Sequence, residues 1–338
     1  MPLHVAHFSL ACHALSIDSG GAGGVADPSR RDVFAAAAGT AAGLWLPRQA
    51  AVAATSVGGS TGGTEPIAIV GASGRTGALC VASCLRRGIP VRALTRSGAW
   101  SPPATDVEDG SITLTVDNDL LSIEQCDARD PAALEAGVTG CCGVIYAASA
   151  SKKGGNAKAI DNEAVVKAGH ACIAKGVGRY ILISSTATTR PKSLGYLFTN
   201  VYQNIMAEKR LGELGVMSAY QGRDASQTSY SIIRPGGLEE PKLNAVLGAK
   251  SLELSQGDAL AGIISRADLA EIAVEAALSP SPNLQNASFE LYYETSAQPC
   301  EGRFKSLLQN GDVARIHGDS YSELFSKLKR DGEYYVPV

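Results

Sequence analysis

Apolar positions along this chain fall into short β-branched runs separated by stretches with helical spacing. Pro66 to Val70 is the first run, and it leads straight into glycines at 71, 74 and 77. Ala78 to Gly88 then reads as a helix, with Arg86 and Arg87 in its last turn and glycine at its stop. Pro90 to Arg96 is a second strand. Ile112, Leu114 and Val116 alternate with polar residues, Asp117 to Asp119 is a turn cluster, and Leu120 to Gln125 alternates again. This predicts a hairpin whose second arm is the third sheet strand. Gly143 to Ser149 is a fourth strand. Ala157 to Lys175 is a long amphipathic helix with Val165, Val166, Ala168, Ala171, Cys172 and Ile173 on its apolar stripe. Arg179 to Ser185 is apolar throughout until its closing serines, as a buried parallel strand is. A helix over 202–214, a strand over 229–235, a helix over 266–278 capped by Ser265, and a strand over 288–293 complete the pattern. Residues 301–331 read as peripheral helices. The repeated β-α-β order predicts an α/β fold: a doubly wound parallel sheet with helices on both faces. One domain covers 64–338, with its body over about 65–295. Residues 236–262 and the C-terminal tail are expected to form a small lid.

The glycine run is where chemistry enters. Gly71 permits a tight turn out of the strand, Gly74 lets backbone approach a pyrophosphate, and Gly77 lets the helix pack closely on the sheet. The helix amides and dipole then face the anion. The spacing is GxxGxxG rather than GxGxxG. At the end of the second strand, an NAD site places an acid against the ribose hydroxyls. Here Arg96 stands there instead, and Arg75 lies within the glycine loop. Two guanidinium groups suit a 2′-phosphate, so the reading is NADP(H). Asp127 is placed either to accept from an adenine amino group or to cap the helix that begins near Pro131.

Composition narrows the picture further. The chain has 338 residues and a formal net charge of −3, with no basic run interleaved with aromatics, which excludes nucleic acid as a partner. The eight cysteines are scattered without zinc spacing and read as buried small side chains, so no metal is expected. His170 reads as a packing or surface residue. Residues 1–63 are rich in Ala, Gly and Ser and read as a presequence. Arg30-Arg31, a short Ala/Gly-rich apolar stretch to Leu46, and Ala51-Val52-Ala53 resemble a twin-arginine signal over 29–54. The apolar stretch is too short for a membrane span. The long leader ahead of it fits a bipartite chloroplast address, to stroma or thylakoid lumen, with peripheral thylakoid association. Bacterial export by the twin-arginine route is the other reading.

GASGRTG, VRALTR, CDARDPAAL, GVGRYILISS, SYSIIRPGGL and ISRADLAE occur in this order from residue 66 to about 293. As a set they resemble the atypical short-chain dehydrogenase/reductases, in the NmrA-like NAD(P)-binding branch of plants, algae and cyanobacteria. The resemblance implies a Rossmann-like fold. It implies that Gly71, Ser73, Gly74, Arg75, Thr76 and Gly77 hold the phosphates, and that Arg96 takes the 2′-phosphate while Asp127 meets adenine. It further implies that Ala147 and Ala148 line the ribose, that Ser184 lies beside the nicotinamide, and that Pro235 and Gly236 flank its carboxamide.

Ordinary members of that group use Tyr-x-x-x-Lys, whose members share one helix face. No tyrosine here has lysine four residues later. Lys209, in KRLGE, matches the family lysine, but Ile205 holds the tyrosine place. In the other register Tyr196 fits, but Asn200 holds the lysine place. Tyr202 is seven residues before Lys209, roughly 10 Å along a helix. Ser184, Tyr196 and Lys209 are the candidate catalytic residues, and Lys209 is a candidate ribose ligand. The chain thus reads as an NADPH-dependent reductase of a small substrate, or as a non-catalytic NADP(H)-binding redox sensor or thylakoid assembly factor. The signal pattern yields one prediction: the mature protein should begin near Ala54. N-terminal sequencing that finds Met1 retained would contradict it.

Overall fold

The structure, a computed structural model, describes residues 65–103, 118–150, 155–239, 246–302, 304–334 and 336. The presequence and the first arm of the expected hairpin lie outside the described residues.

Nine strands make one sheet in the order β13-β8-β11-β6-β5-β4-β1-β2-β3. These strands are β1 (Ile67–Val70), β2 (Val91–Thr95), β3 (Leu121–Gln125), β4 (Gly143–Tyr146), β5 (Arg179–Ile183), β6 (Ser229–Pro235), β8 (Leu252–Ser255), β11 (Ala287–Tyr293) and β13 (Arg315–Ile316). From β3 across to β11 every neighbouring pair is parallel. Strands β8 and β13 add an antiparallel edge beyond β11. The chain leaves β1 toward β2 on one side and returns to β4 on the other. That reversal is the crevice where doubly wound sheets bind ligands. The expected Rossmann-like α/β fold is what forms.

Burial explains why the central strands are predominantly apolar. In β1, Ile67 and Ile69 enter the core beneath α1 (Arg75–Arg86) and α6 (Arg266–Leu278). Ala68 and Val70 enter the opposite core, beneath α2 (Pro131–Val138), α3 (Ala164–Lys175) and α5 (Ile205–Tyr220). Each fully buried aliphatic side chain contributes about 1.5–3 kcal/mol relative to exposure, so the sandwich is held from both faces.

Three segments differ from the sequence expectation. The helix expected over 157–175 opens with a π-helical turn, Lys158–Glu163, before α3 begins. The helix expected over 202–214 forms as α5, starting at Ile205 after left-handed backbone at Gln203 and Asn204 and running on to Tyr220, and a further helix, α4 (Leu194–Asn200), precedes it. Within the region expected as a lid, Leu252–Ser255 is a fully buried sheet strand. Its buried Glu253 is paired in bidentate fashion with Arg315, at 2.5 and 2.6 Å, which lets a charged strand join the core. The rest of that region contributes β7 (Gly237–Glu239), β9 (Leu260–Ala261) and β10 (Ile263–Ser265), with β12 (Gln298–Pro299), in two small two-stranded sheets. Short helices α7 (Phe304–Gln309) and α8 (Tyr321–Ser326) occupy the expected peripheral stretch. Among the described residues no helix is long and apolar enough to cross a membrane.

Candidate dinucleotide site

The turn after β1 is built by missing side chains. Gly71 has φ +81, and a Cβ there would lie 2.8 Å from the backbone of Ala148. A Cβ on Gly77 would lie 2.2 Å from the Gly71 carbonyl oxygen. Both positions therefore require glycine. Gly74 is exposed and its Cβ would meet only the Gly71 oxygen, at 3.1 Å, so its bareness faces outward. The turn is pinned to both neighbouring strands. Gly71 and Ala72 donate to the Leu94 carbonyl at 3.1 and 3.2 Å, and Ala147 donates to Val70 at 2.9 Å. Gly74 is the N-cap of α1, with no side-chain cap and no acid in the first turn. Helix α2, by contrast, is capped by Asp130. The first turn of α1 thus brings positive helix-end charge to the crevice, with no side-chain cap at Gly74 among the described residues. Ser73, Gly74 and Arg75 are exposed there, and Thr76 is half-buried.

At the far end of the groove, Arg96 follows β2 and is exposed. Its carbonyl accepts from Gln125 Nε2 at 3.1 Å, which ties it to the end of β3. Asp127 does not cap α2; Asp130 does, accepting from the Ala132 amide at 2.9 Å. Asp127 instead binds Arg129, accepting from its amide at 3.0 Å and from Nε at 2.9 Å. The hydrogen bond from the Arg129 guanidinium is the main reason the Asp127 carboxyl is lowered to about 2, and the nearby Arg96 adds to it. Arg129 is the residue that sequence reasoning missed here. Its signal was the one cation of the CDARDP motif, two residues beyond the acid.

Under the carboxyl ends of β4 and β5, helix α5 presents a cation and an anion one turn apart. Lys209, Glu213, Val216 and Tyr220 share its inner face. Gly212 makes the approach possible: a Cβ there would lie 2.4 Å from the Asp161 carbonyl in the π-helical turn. Lys209 Nζ donates to Asp161 Oδ1 at 2.7 Å. Asp161 is buried and also accepts from Ser149 Oγ at 2.6 Å and from the Ala150 amide at 2.9 Å. Neither Asp161 nor Ser149 was flagged by the sequence, where each looks like an ordinary polar residue. The rare π-helical turn is the local feature that aims Asp161 inward, as such turns do at many functional sites. Ser184, at the end of β5, donates its hydroxyl to Glu213 Oε1 at 2.6 Å. Lys209, Asp161, Ser184 and Ala148 line one small cavity of about 10 Å³, roughly the room of a single water.

The remaining sequence-flagged residues lie close by in other roles. Tyr196 is buried in a small apolar cluster with Ala150, Ala187, Ile205 and Met206. Among the described residues Lys209 bonds to Asp161 and to no tyrosine. Tyr202 accepts from Gln203 at 3.3 Å. The Pro235 carbonyl accepts from Thr186 at 3.1 Å, and a Cβ on Gly236 would lie 2.3 Å from the Gly262 carbonyl. Gly236 is therefore required by a backbone crossing within the protein. His170 is exposed on α3, on the rim of a shallow groove with Lys167 and Arg223.

Behind Ser184 a buried charge chain runs deeper. Glu213 is bracketed by Arg234 Nε and Nη2 at 3.1 and 3.0 Å, and Arg234 Nη1 reaches Glu290 at 3.1 Å. Glu290 also accepts from Ser255 Oγ at 3.1 Å and from the Asp258 amide at 3.0 Å. Asp258 in turn holds the loop after Ser184, accepting from the amide of Ala187 (φ 67) at 2.8 Å and from Thr189 Oγ1 at 2.7 Å.

The parallel sheet, the strand reversal and the glycine turn define a dinucleotide-binding protein of the Rossmann type. The model of the NAD(P)H-binding family matches residues 71–280. The chain therefore belongs to the NAD(P)H-binding family. It is 27% identical over 229 residues to an uncharacterized chloroplastic protein of Arabidopsis thaliana, covering 64% of this chain and 72% of that one. It is 28% identical over 236 residues to the chloroplastic protein TIC 62 of Oryza sativa subsp. japonica, covering 66% of this chain but only 45% of that one. Among solved structures it resembles the oxidoreductase ylbE of Lactococcus lactis, with a TM-score of 0.53 at 18% identity over 72% of this chain and 97% of that one.

One pH dependence follows from the charge chain. Burial pushes the Glu290 carboxyl up to about 7 from its ordinary 4.5. The folded state then holds this proton more tightly than the unfolded chain. Its contribution to stability is complete below the unfolded value and is lost as pH rises through the folded one. Glu290→Gln should therefore flatten the fall in stability between about pH 5 and 8, read by urea denaturation. An unchanged slope would contradict it.

Proposed function

We propose that this chain binds NADP(H) across the β1–β4 crevice and acts as an NADPH-dependent reductase of a small molecule in the chloroplast. The single observation that carries the binding half is the bare backbone of the glycine turn, which only a close-lying ligand or another backbone can use. In this reading Gly71, Ser73, Gly74, Arg75, Thr76 and Gly77 hold the phosphates. Arg96, with Arg129 beside it, takes the 2′-phosphate, while Asp127 orders Arg129 and faces the adenine end. Ala147 and Ala148 border the ribose, and Pro235 and Gly236 border the carboxamide. When bound, the nicotinamide supplies hydride chemistry. The Lys209 ammonium, fixed by Asp161, binds ribose hydroxyls and is the cation placed to donate a proton to a reduced substrate. The chloroplast assignment rests on the relatives, whose names place them there, and on the leader sequence.

A second reading is a non-catalytic NADP(H) sensor or thylakoid assembly factor, held at the membrane surface. One observation favours it: the phenol that should work with Lys209 is missing from its helix face, and Tyr196 is packed inward. Such a sensor would read the nucleotide rather than thiol oxidation, since burial pushes Cys84 up to about 12 and Cys126 to about 11.

Two measurements test these readings. Arg96→Ala should weaken NADPH binding about tenfold or more while leaving NADH nearly unchanged, as loss of a charge-assisted phosphate contact does. Equal losses for both cofactors would remove the NADP assignment. With a panel of carbonyl substrates, stoichiometric NADPH consumption identifies the reductase. Tight binding with no consumption identifies the sensor.

A further inference from the structure

We propose that Ser184 is a fixed hydrogen-bond acceptor that orients the nicotinamide carboxamide through its amide N–H, and that Glu213 is the positioning residue that imposes this polarity. The inference rests on the NADP(H) reading above.

A serine hydroxyl can ordinarily rotate to donate or accept as its neighbour requires. Here that freedom is gone. Glu213 is fully buried and accepts a hydrogen bond from the Ser184 hydroxyl at 2.6 Å. It also receives Arg234 at 3.1 and 3.0 Å, Arg210 at 3.0 Å and Thr188 Oγ1 at 3.3 Å. Burial alone would raise its carboxyl, but the ion pair with Arg234 and the hydrogen bonds outweigh burial and hold it below its ordinary value. An ionised carboxylate has no proton to give back. Ser184 has one proton, and it points at Glu213, so the lone pairs are what Ser184 offers to the groove.

That polarity sorts ligands. A substrate carbonyl brings only acceptor atoms to this position, leaving them and the Ser184 lone pairs unpaired. A carboxamide brings N–H groups. Ser184 is only 7% exposed and lies at the carboxyl end of β5, beside Ala148 of the crevice. It is thus recessed toward the cofactor floor. In this assignment its role is cofactor orientation rather than polarisation of a carbonyl.

The test uses the full chain and two probes: NADPH, and its acetylpyridine analogue, in which a methyl group replaces the carboxamide NH₂ and the carbonyl is kept. The wild type should prefer NADPH by about tenfold. Ser184→Ala should bring that ratio close to one by weakening NADPH alone. Glu213→Gln gives Ser184 an amide N–H to accept from and so frees its own proton. The ratio should fall there too while the analogue still binds, which a merely structural role of Glu213 would not produce. If that variant does not fold, the Ser184→Ala ratio decides alone. A preference for NADPH that survives in Ser184→Ala overturns the inference, as does a wild type that binds both probes equally. The first result would mean that a buried water fills the acceptor position. A wild type that binds neither probe overturns the cofactor reading and this inference with it.

Discussion

Backbone lies against backbone where β1 and β4 diverge, and the rest of the site is arranged around that approach. The bare Gly71 fits against Ala148, and the bare Gly77 fits against Gly71 itself. Any side chain at either position would push the turn out of the crevice, and α1 would then lose its seat on the sheet. Because the turn is tight, the first turn of α1 opens on the strand reversal, with no side-chain cap at Gly74 among the described residues. The positive helix end at one side and Arg96 after β2 at the other bring positive charge to the groove, which suits a phosphorylated ligand.

The other end of the groove is governed by α5. One helix face delivers Lys209 to Asp161 and Glu213 to Ser184, one turn apart. Each charge is matched before any ligand arrives. Buried pairs of this kind add little net stability over apolar packing, but breaking one leaves a charge stranded at a cost of about 3–5 kcal/mol. Their effect is to fix geometry and hydrogen-bond direction. Lys209 keeps donor capacity beyond Asp161, and Ser184 keeps only acceptor capacity. This division sets which atoms of a ligand can face which residue.

Much of this was legible in the sequence, for physical reasons. Strands buried on both faces must be predominantly apolar, so β1, β2, β4, β5 and β6 stood out. Glycines demanded by close approach stood out as well. The π-helical turn did not, because one extra residue in a turn leaves the apolar spacing nearly unchanged. Helix α4 was missed because its apolar stripe, Leu194, Leu197, Phe198 and Val201, faces outward while Tyr196 faces in. Strand β8 was missed because Glu253 reads as exposed until Arg315, far along the chain, is placed beside it. The Glu213–Arg234 pairing spans separate elements in the same way. Its one local trace was an arginine inside the apolar run SYSIIRPGG, which a buried strand cannot hold without an acid.

Hydrogen exchange with and without saturating NADPH tests the central claim most directly. Binding in the crevice should slow exchange at the glycine turn over 71–78, at the carboxyl ends of β2, β4 and β5, and in the first turns of α5. Unchanged exchange at 71–78, or slowing confined to the groove of Lys167, His170 and Arg223, would contradict the account.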